Sequence, residues 1–496
     1  MPGGSEGLLN ITDKRLLAER QENEAAKGTE RTARFVALVA GILGFWFLLW
    51  IAGFPPPSRD DLFFLGGAVN VEETGALANP WIRFWNPVAE SRFYFQPPLY
   101  QYAAAAWISL LGLSAASLTG FHCLLGAIAS LAAVATLWRF GLGGSPWMPL
   151  LLAVALSSQG LRHDGLGLAL LALGVWLVVG RGTASYAAGL SVLTLAVAAW
   201  PLTVSYVACS TIAAVTLRLR AAKGGTRSKL AVASALGILL PLVVVLASIR
   251  LQIQLFLRDF FWHARLRLPN GPSGTMDTIL HLFTVGWNAL LLGPVCLLAI
   301  GLVGANLAQW PRVRPEVRTL ISVAGTGMLI ELMLYPAHLD VLFALGCSVL
   351  AVVLSREPVF HANRVRLAAV ILVAALAPNV GYAALRWLGP ARESSAYYAQ
   401  VCRSVAGADS LVVDEYAARY VFDYRLPPGV TYWDYSVPPM QYWPESLAER
   451  RPGTVWVLSR AKGPKVTGMP EPAPLRFLGH SFTSIPARPG LMCVVR

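Results

Sequence analysis

Long apolar runs separated by short polar connections set the pattern of this chain. The first runs from about Phe35 to Gly53, and later ones cover roughly 164–180, 184–200, 202–217, 230–249, 285–305, 319–335, 339–355 and 367–388. Each approaches the ~20 residues a helix needs to cross hydrocarbon. Between the first run and residue 164 three further runs, 98–113, 117–137 and 147–160, compete for two crossings. The pattern predicts an α-helical polytopic membrane protein with about 11 transmembrane helices. Trp46, Trp50, Trp200, Trp287 and Trp387 sit toward the ends of runs, where aromatic belts form. After Leu388 the pattern breaks: residues 389–496 are polar, Pro-rich and aromatic, with short apolar segments at Leu411–Val413, Val455–Leu458 and Met492–Val495. Such segments between helical or loop patterns predict a small C-terminal α/β domain.

Charge orients the array. The chain is 55% hydrophobic and 14% charged, with a mean hydropathy of +0.55 and a net charge of +13. That balance would suit nucleic acid, but the basic residues fall in short loops, as membrane insertion requires, and no nucleic-acid partner is expected. Arg31 and Arg34 precede the first run. Arg181, the group Arg218/Arg220/Lys223/Arg227/Lys229, the group Arg312/Arg314/Arg318 and the group Arg356/Arg364/Arg366 then recur where a cytoplasmic loop is due. Residues 1–34 therefore read as a cytoplasmic tail without a cleavable signal, 35–388 as the transmembrane domain with a large first external loop at 55–97, and 389–496 as extracytoplasmic. Keeping Arg139 on the cytoplasmic side makes 98–113 a re-entrant or interfacial helix; the alternative leaves Arg139 outside and 147–160 non-spanning. Cys123, Cys209, Cys296 and Cys347 lie in apolar runs and read as packing residues, whereas Cys402 and Cys493 flank the exported region, where a disulfide is chemically allowed.

Four separated segments offer polar groups to one face. They are Arg59-Asp60-Asp61 with the loop to Pro98, Arg162-His163-Asp164, the connection from Arg250 to about His281 with its Arg258–Arg267 stretch, and Tyr335–Asp340 around His338. Carboxylates beside cations suit transfer from an anionic leaving group: an acid residue takes the proton of an incoming hydroxyl while a guanidinium neutralises the departing phosphate. The plainer reading is local pairing of interfacial charges, Arg59 with Asp60 or Arg162 with Asp164, and helix capping for Asp164. Tyr424, Tyr432, Trp433, Tyr435, Tyr442 and Trp443 suit either sugar stacking or packing within a small domain.

Asp60-Asp61 after the first run, the Tyr94-Phe95-Gln96-Pro97-Pro98-Leu99 end of the first loop, Gln159–Asp164 opening a run, Phe260-Phe261-Trp262 and Tyr335-Pro336 follow one another in an order that resembles the GT-C glycosyltransferases. Within that superfamily the chain is most similar, over about residues 35–390, to bacterial polyprenyl-phosphate-dependent enzymes such as the lipid A aminoarabinose transferases, and to protein O-mannosyltransferases. The resemblance implies a multi-pass enzyme of the bacterial inner membrane that moves a sugar from a polyprenyl-phosphate donor to a glycan, lipid or protein acceptor within the lipid bilayer's outer face. It implies Asp60 as base, with Asp61 and Asp164 catalytic beside it. Arg59, Gln96, Arg162, His163, His263, Arg265, Arg267 and His338 would bind substrate. Two positions depart from the pattern. Gln96-Pro97 stands where the aminoarabinose enzymes have Glu-Lys, and His263 follows Trp262 directly while Arg265 takes the matching histidine's place. An amide replacing a carboxylate disfavours a divalent-metal site without forbidding one, and no cofactor is assigned. The competing expectations are a transporter or flippase of lipid-linked saccharide and a catalytically silent relative.

Overall fold

A computed structural model describes residues 29–30, 32–55, 60–82, 86–142, 161–180, 182–265 and 311–334. It also describes 345, 346, 349, 352, 353, 410–413, 419, 424, 425, 431–434, 454–459, 475–477, 480–482 and 491–495. Its helices are α1 (Thr32–Ile51), α2 (Asp61–Thr74), α3 (Leu99–Leu111), α4 (Ala115–Arg139), α5 (His163–Val178), α6 (Thr183–Ala199), α7 (Val204–Ala221), α8 (Gly225–Ser248), α9 (Ile253–Arg265) and α10 (Pro315–Leu334). Among the described residues, α1, α4, α7 with the short turn before it, and α8 are long and apolar enough to cross a membrane; α5, α6 and residues 317–330 are shorter apolar helices. The chain is thus built as a helical membrane protein. Expected spans at 147–160, 285–305 and 367–388, and most of 339–355, lie outside the described residues.

Small residues let the helices meet closely. The Trp46 ring lies over Gly126, where a Cβ would come within 2.4 Å of it, and the Trp46 indole donates to Ser130 Oγ at 3.2 Å. Phe35 meets Trp138 at 5.1 Å and the Trp50 indole donates to Ala116 O at 2.8 Å, so α1 and α4 run antiparallel along their whole length. Gly174 faces Leu193 and Gly189 faces Val178, pairing α5 with α6; Gly237 meets the Ala187 carbonyl, pairing α6 with α8. In hydrocarbon, where burial from water supplies no drive, such close approach is the main source of attraction between helices.

One end of the bundle collects cations. Arg139 donates to Trp176 O at 2.7 Å, Arg218 to the carbonyls of Val178 and Gly180, and Arg314 to Phe140 O at 3.3 Å. These acceptors sit where α4 and α5 end, and a cation there also meets the negative pole of the helix. At the opposite end Gly165 of α5 lies beside His122 of α4. α4 and α5 are therefore parallel. α3, at 13 residues, is about 20 Å long, too short to cross.

Two segments read as connections contain helices. The stretch 55–97 holds α2, buried over much of its length, and two short 3-10 turns, Pro80–Ile82 and Pro87–Glu90. Its Gly-Gly and Asn positions mask the helix in sequence, because they interrupt the apolar stripe. The stretch after Arg250 holds α9, a short helix that is apolar mainly on one side and carries Arg258, Asp259, His263 and Arg265. In the C-terminal region strands β1 (Ser410–Val413), β2 (Thr431–Asp434), β3 (Thr454–Ser459) and β6 (Leu491–Val495) form a sheet ordered β2-β1-β3-β6. β1 is parallel to β2 and β3, and β3 antiparallel to β6; β4 (Leu475–Phe477) pairs with β5 (His480–Phe482). The parallel β1–β2 pair requires a crossover, and that connection carries Arg419, Tyr424 and Arg425 back to the helices.

Candidate functional site

At the end of the bundle remote from the cations, the N-termini of α2 and α5 meet. Asp60 occupies the N-cap of α2 and Asp61 its first turn; Arg162 occupies the N-cap of α5 and Asp164 its first turn. Both helices thus point their positive poles at carboxylates. The Arg162 guanidinium lies 2.9 Å from Asp60 Oδ2 and 3.8 Å from Asp164 Oδ2, and sits over the Phe64 ring. One cation therefore joins two acids a hundred residues apart in sequence. Of the three acids Asp60 has the most access to solvent, its side chain 31% exposed against 4% for Asp164; Asp61 is fully buried.

The two neighbouring aspartates do different jobs. Asp61 accepts the Leu161 N–H at 2.8 Å through Oδ1 and the Tyr424 hydroxyl at 2.9 Å through Oδ2. It ties the start of α2 to the start of α5 and to the C-terminal region, which is a positioning role. Asp164 accepts its neighbour's Gly165 N–H at 2.9 Å; the N-cap position itself belongs to Arg162 and makes no side-chain cap bond. The Arg162 contact with Asp164, within its own segment, is longer than its contact with Asp60. Tyr100, buried in the first turn of α3, donates to Leu161 O at 2.9 Å. Burial, with the Asp61 and Asp164 carboxylates adding to it, holds its phenol well above the ordinary value, so it remains a donor at neutral pH.

The histidines stack on α2. His163 lies 4.2 Å from the Phe64 ring, nearly parallel, with Trp200 at its edge. His263 stacks on Phe63 at 5.3 Å, and Phe63 meets Phe64 edge-on. His263 Nδ1 is 2.9 Å from Phe95 O and 3.1 Å from Gln96 Nε2. The two contacts need opposite tautomers, since the Phe95 carbonyl accepts from a protonated Nδ1 whereas the Gln96 amide nitrogen donates to an unprotonated one. Nearby, Arg92 donates to Asp259 Oδ2 at 2.7 Å, Arg258 to Asp259 Oδ1 at 3.1 Å, and the Tyr94 hydroxyl to Gln252 Oε1 at 2.9 Å. Burial raises the Tyr94 phenol, keeping that donor protonated. Together these contacts strap the segment 92–96 to α9 just before α3 begins.

The expected site residues therefore divide. Asp60, Asp61, Arg162, His163 and Asp164 come together; Gln96 and His263 form a second group joined to the first through Phe63 and Phe64. Arg265 is exposed at the far end of α9, on a side of the helix away from His263. Arg59, Arg267 and His338 lie outside the described residues. Among the described residues no three His, Cys, Asp or Glu side chains cluster as metal ligands. The sequence reading passed over Tyr100, Arg92 and Arg419, although Arg419 is almost fully buried and donates to Pro55 O at 2.7 Å. Tyr424 also accepts the Trp81 indole through its carbonyl, and Arg425 pairs with Glu73 at 3.1 Å. No short-range signal marks these contacts, which span more than three hundred residues. Compared with family models, with curated proteins and with solved structures, the chain matches none.

Proposed function

We propose that the protein is an integral-membrane glycosyltransferase of the GT-C kind, with about 11 spans, that moves a sugar from a polyprenyl-phosphate carrier to a hydroxyl acceptor. In this reading the cationic end of the bundle faces the cytoplasm of a bacterial inner membrane, as the excess of arginine and lysine favours. The acid cluster and the C-terminal α/β region then face the exterior. The observation that carries the proposal is the bridge from Asp60 through Arg162 to Asp164, assembled from two helix N-termini at a partly open end of the bundle.

Asp60, the accessible acid, takes the proton of the acceptor hydroxyl as its oxygen forms the new bond to the anomeric carbon. The bond from that carbon to the phosphate oxygen breaks on the opposite face, and its electron pair leaves with the polyprenyl phosphate, so configuration inverts. Arg162 holds the Asp60 carboxylate in place, with Asp164 fixing the guanidinium from behind; buried Asp61 acts by holding the backbone at Leu161. The departing phosphate is assigned to Arg267, for which guanidinium geometry is suited, and not to Arg265, which lies on the side of α9 away from His263.

Membranes carrying the Asp60→Asn variant, supplied with labelled polyprenyl-phosphate sugars, test the assignment. Transfer is expected to fall by about 10²-fold or more while the protein level holds. Full turnover in that variant rejects Asp60 as base. Transmembrane movement of an intact lipid-linked saccharide, with no glycosidic product from wild type, replaces the enzyme by the transporter reading. Against that reading stands the position of the charges, at helix ends rather than near mid-bundle where transported ions bind.

A further inference from the structure

α9 divides into three sectors. At about 100° per residue, Leu255, Phe256, Asp259 and His263 share one side of the helix. This side packs on the body of the protein, through the Arg92–Asp259 pair, the contacts of His263 and the Tyr94–Phe256 ring pair. The next sector, about 80° wide, holds Ile253, Leu257 and Phe261, which are 45%, 42% and 52% exposed. The third holds Gln254, Arg258 and Arg265, all exposed. Trp262, also exposed, lies between the basic sector and the docked one and meets the Phe95 ring at its inner edge.

A water-facing helix would not keep three large apolar side chains in line and uncovered, and a helix buried in hydrocarbon would not set two arginines beside them. The pattern is that of a helix lying in the plane of a membrane surface. Its place in the chain agrees. α8 exposes Leu236, Leu239, Leu240 and Val243 along its length, the surface of a helix that faces lipid. α8 ends at Ser248 and the chain turns through Arg250 and Leu251, both in the left-handed region, before α9 begins. Leu251 is itself exposed, so the apolar surface continues from α8 into α9.

We propose that α9 is an interfacial anchor seated on a leaflet of anionic phospholipid, with Ile253, Leu257 and Phe261 among the acyl chains and Arg258 and Arg265 on the headgroup phosphates. The occupant is the bilayer surface itself, chosen by the continuity with α8 and by the positive charge beside the apolar stripe. Because the docked side of the same helix straps residues 92–96, lipid held there fixes the segment that leads into α3. This goes beyond the transfer reading and stands whether or not that reading holds.

Full-length protein in nanodiscs of phosphatidylglycerol and phosphatidylcholine tests it. A photo-crosslinking residue at position 261 or 257 is expected to yield lipid adducts, and one at position 254 far fewer. Native mass spectrometry of the wild type should show phosphatidylglycerol retained over phosphatidylcholine, and R258Q/R265Q should reduce that preference about tenfold. Arg258 also touches Asp259, so R258K/R265K, which keeps both charges, separates headgroup binding from a local fold defect by preserving the preference. The proposal is overturned by adducts at 261 that are only intramolecular, by an unchanged preference in R258Q/R265Q, or by adducts confined to added polyprenyl phosphate, which would make the surface a donor site.

Discussion

The two ends of the bundle handle charge in opposite ways. At the cationic end, guanidiniums are matched to backbone: Arg139, Arg218 and Arg314 each take up carbonyls left over where α4 and α5 finish, and Arg139 also lies over the Trp176 ring. At the acid end a guanidinium is matched to carboxylates, Arg162 being shared between Asp60 and Asp164 at a partly open site, while Asp61 and Arg419 take backbone partners around it. Backbone-capping cations are replaceable, since each contributes little and water can substitute. A half-buried cation shared by two acids is harder to replace, because its removal takes away the attraction that offsets their mutual repulsion. The end with interdependent charges is where chemistry is to be sought.

Substitutions sharpen this contrast in graded steps. Arg162→Ala should have the largest effect: transfer falls at least about 10²-fold, the scale on which a fixed charge at a reaction centre acts, while detergent-solubilised protein still unfolds cooperatively. Asp61→Ala should follow. Losing the acceptor for Leu161 N–H and Tyr424 costs about 2–3 kcal/mol, seen as a lower unfolding midpoint, and activity should then track the folded fraction. Arg92→Gln leaves Asp259 with Arg258 alone, and should cost about 1–2 kcal/mol and speed proteolysis in the segment 92–96 relative to the rest of the chain. Arg139→Gln, at the other end, should cost under about 1 kcal/mol and leave transfer within about twofold. If Arg139→Gln proves as damaging as Arg162→Ala, the contrast between the ends fails.

The legible part of this architecture was local. Runs 164–180, 184–200, 202–217 and 230–249 became α5, α6, α7 and α8 within a few residues, because a lipid-crossing helix must be continuously apolar. Asp60, Arg162 and Asp164 were also visible, as ionisable groups at the borders of such runs. The division of labour between Asp60 and Asp61 was not. It depends on Leu161 and Tyr424, and nothing in the string Ser58–Asp61 says which acid turns inward. α2 and α9 were hidden for different reasons: the apolar residues of α2 run round the helix without a single stripe, whereas α9 is apolar on one side but short and charged, so it does not stand out as a long apolar run.

The hydroxyl that engages Asp61 belongs to residue 424 of 496, and buried Arg419 reaches Pro55 from the same segment. A protein made from its N-terminus inserts its first helices long before that segment exists. The acid end must therefore stand unfinished through most of synthesis and close only when the late segment folds back upon it. Completion of the acid end is in this way delayed until nearly the whole polypeptide has been delivered, and a chain cut short before Arg419 would lack the Arg419 and Tyr424 contacts that tie it together.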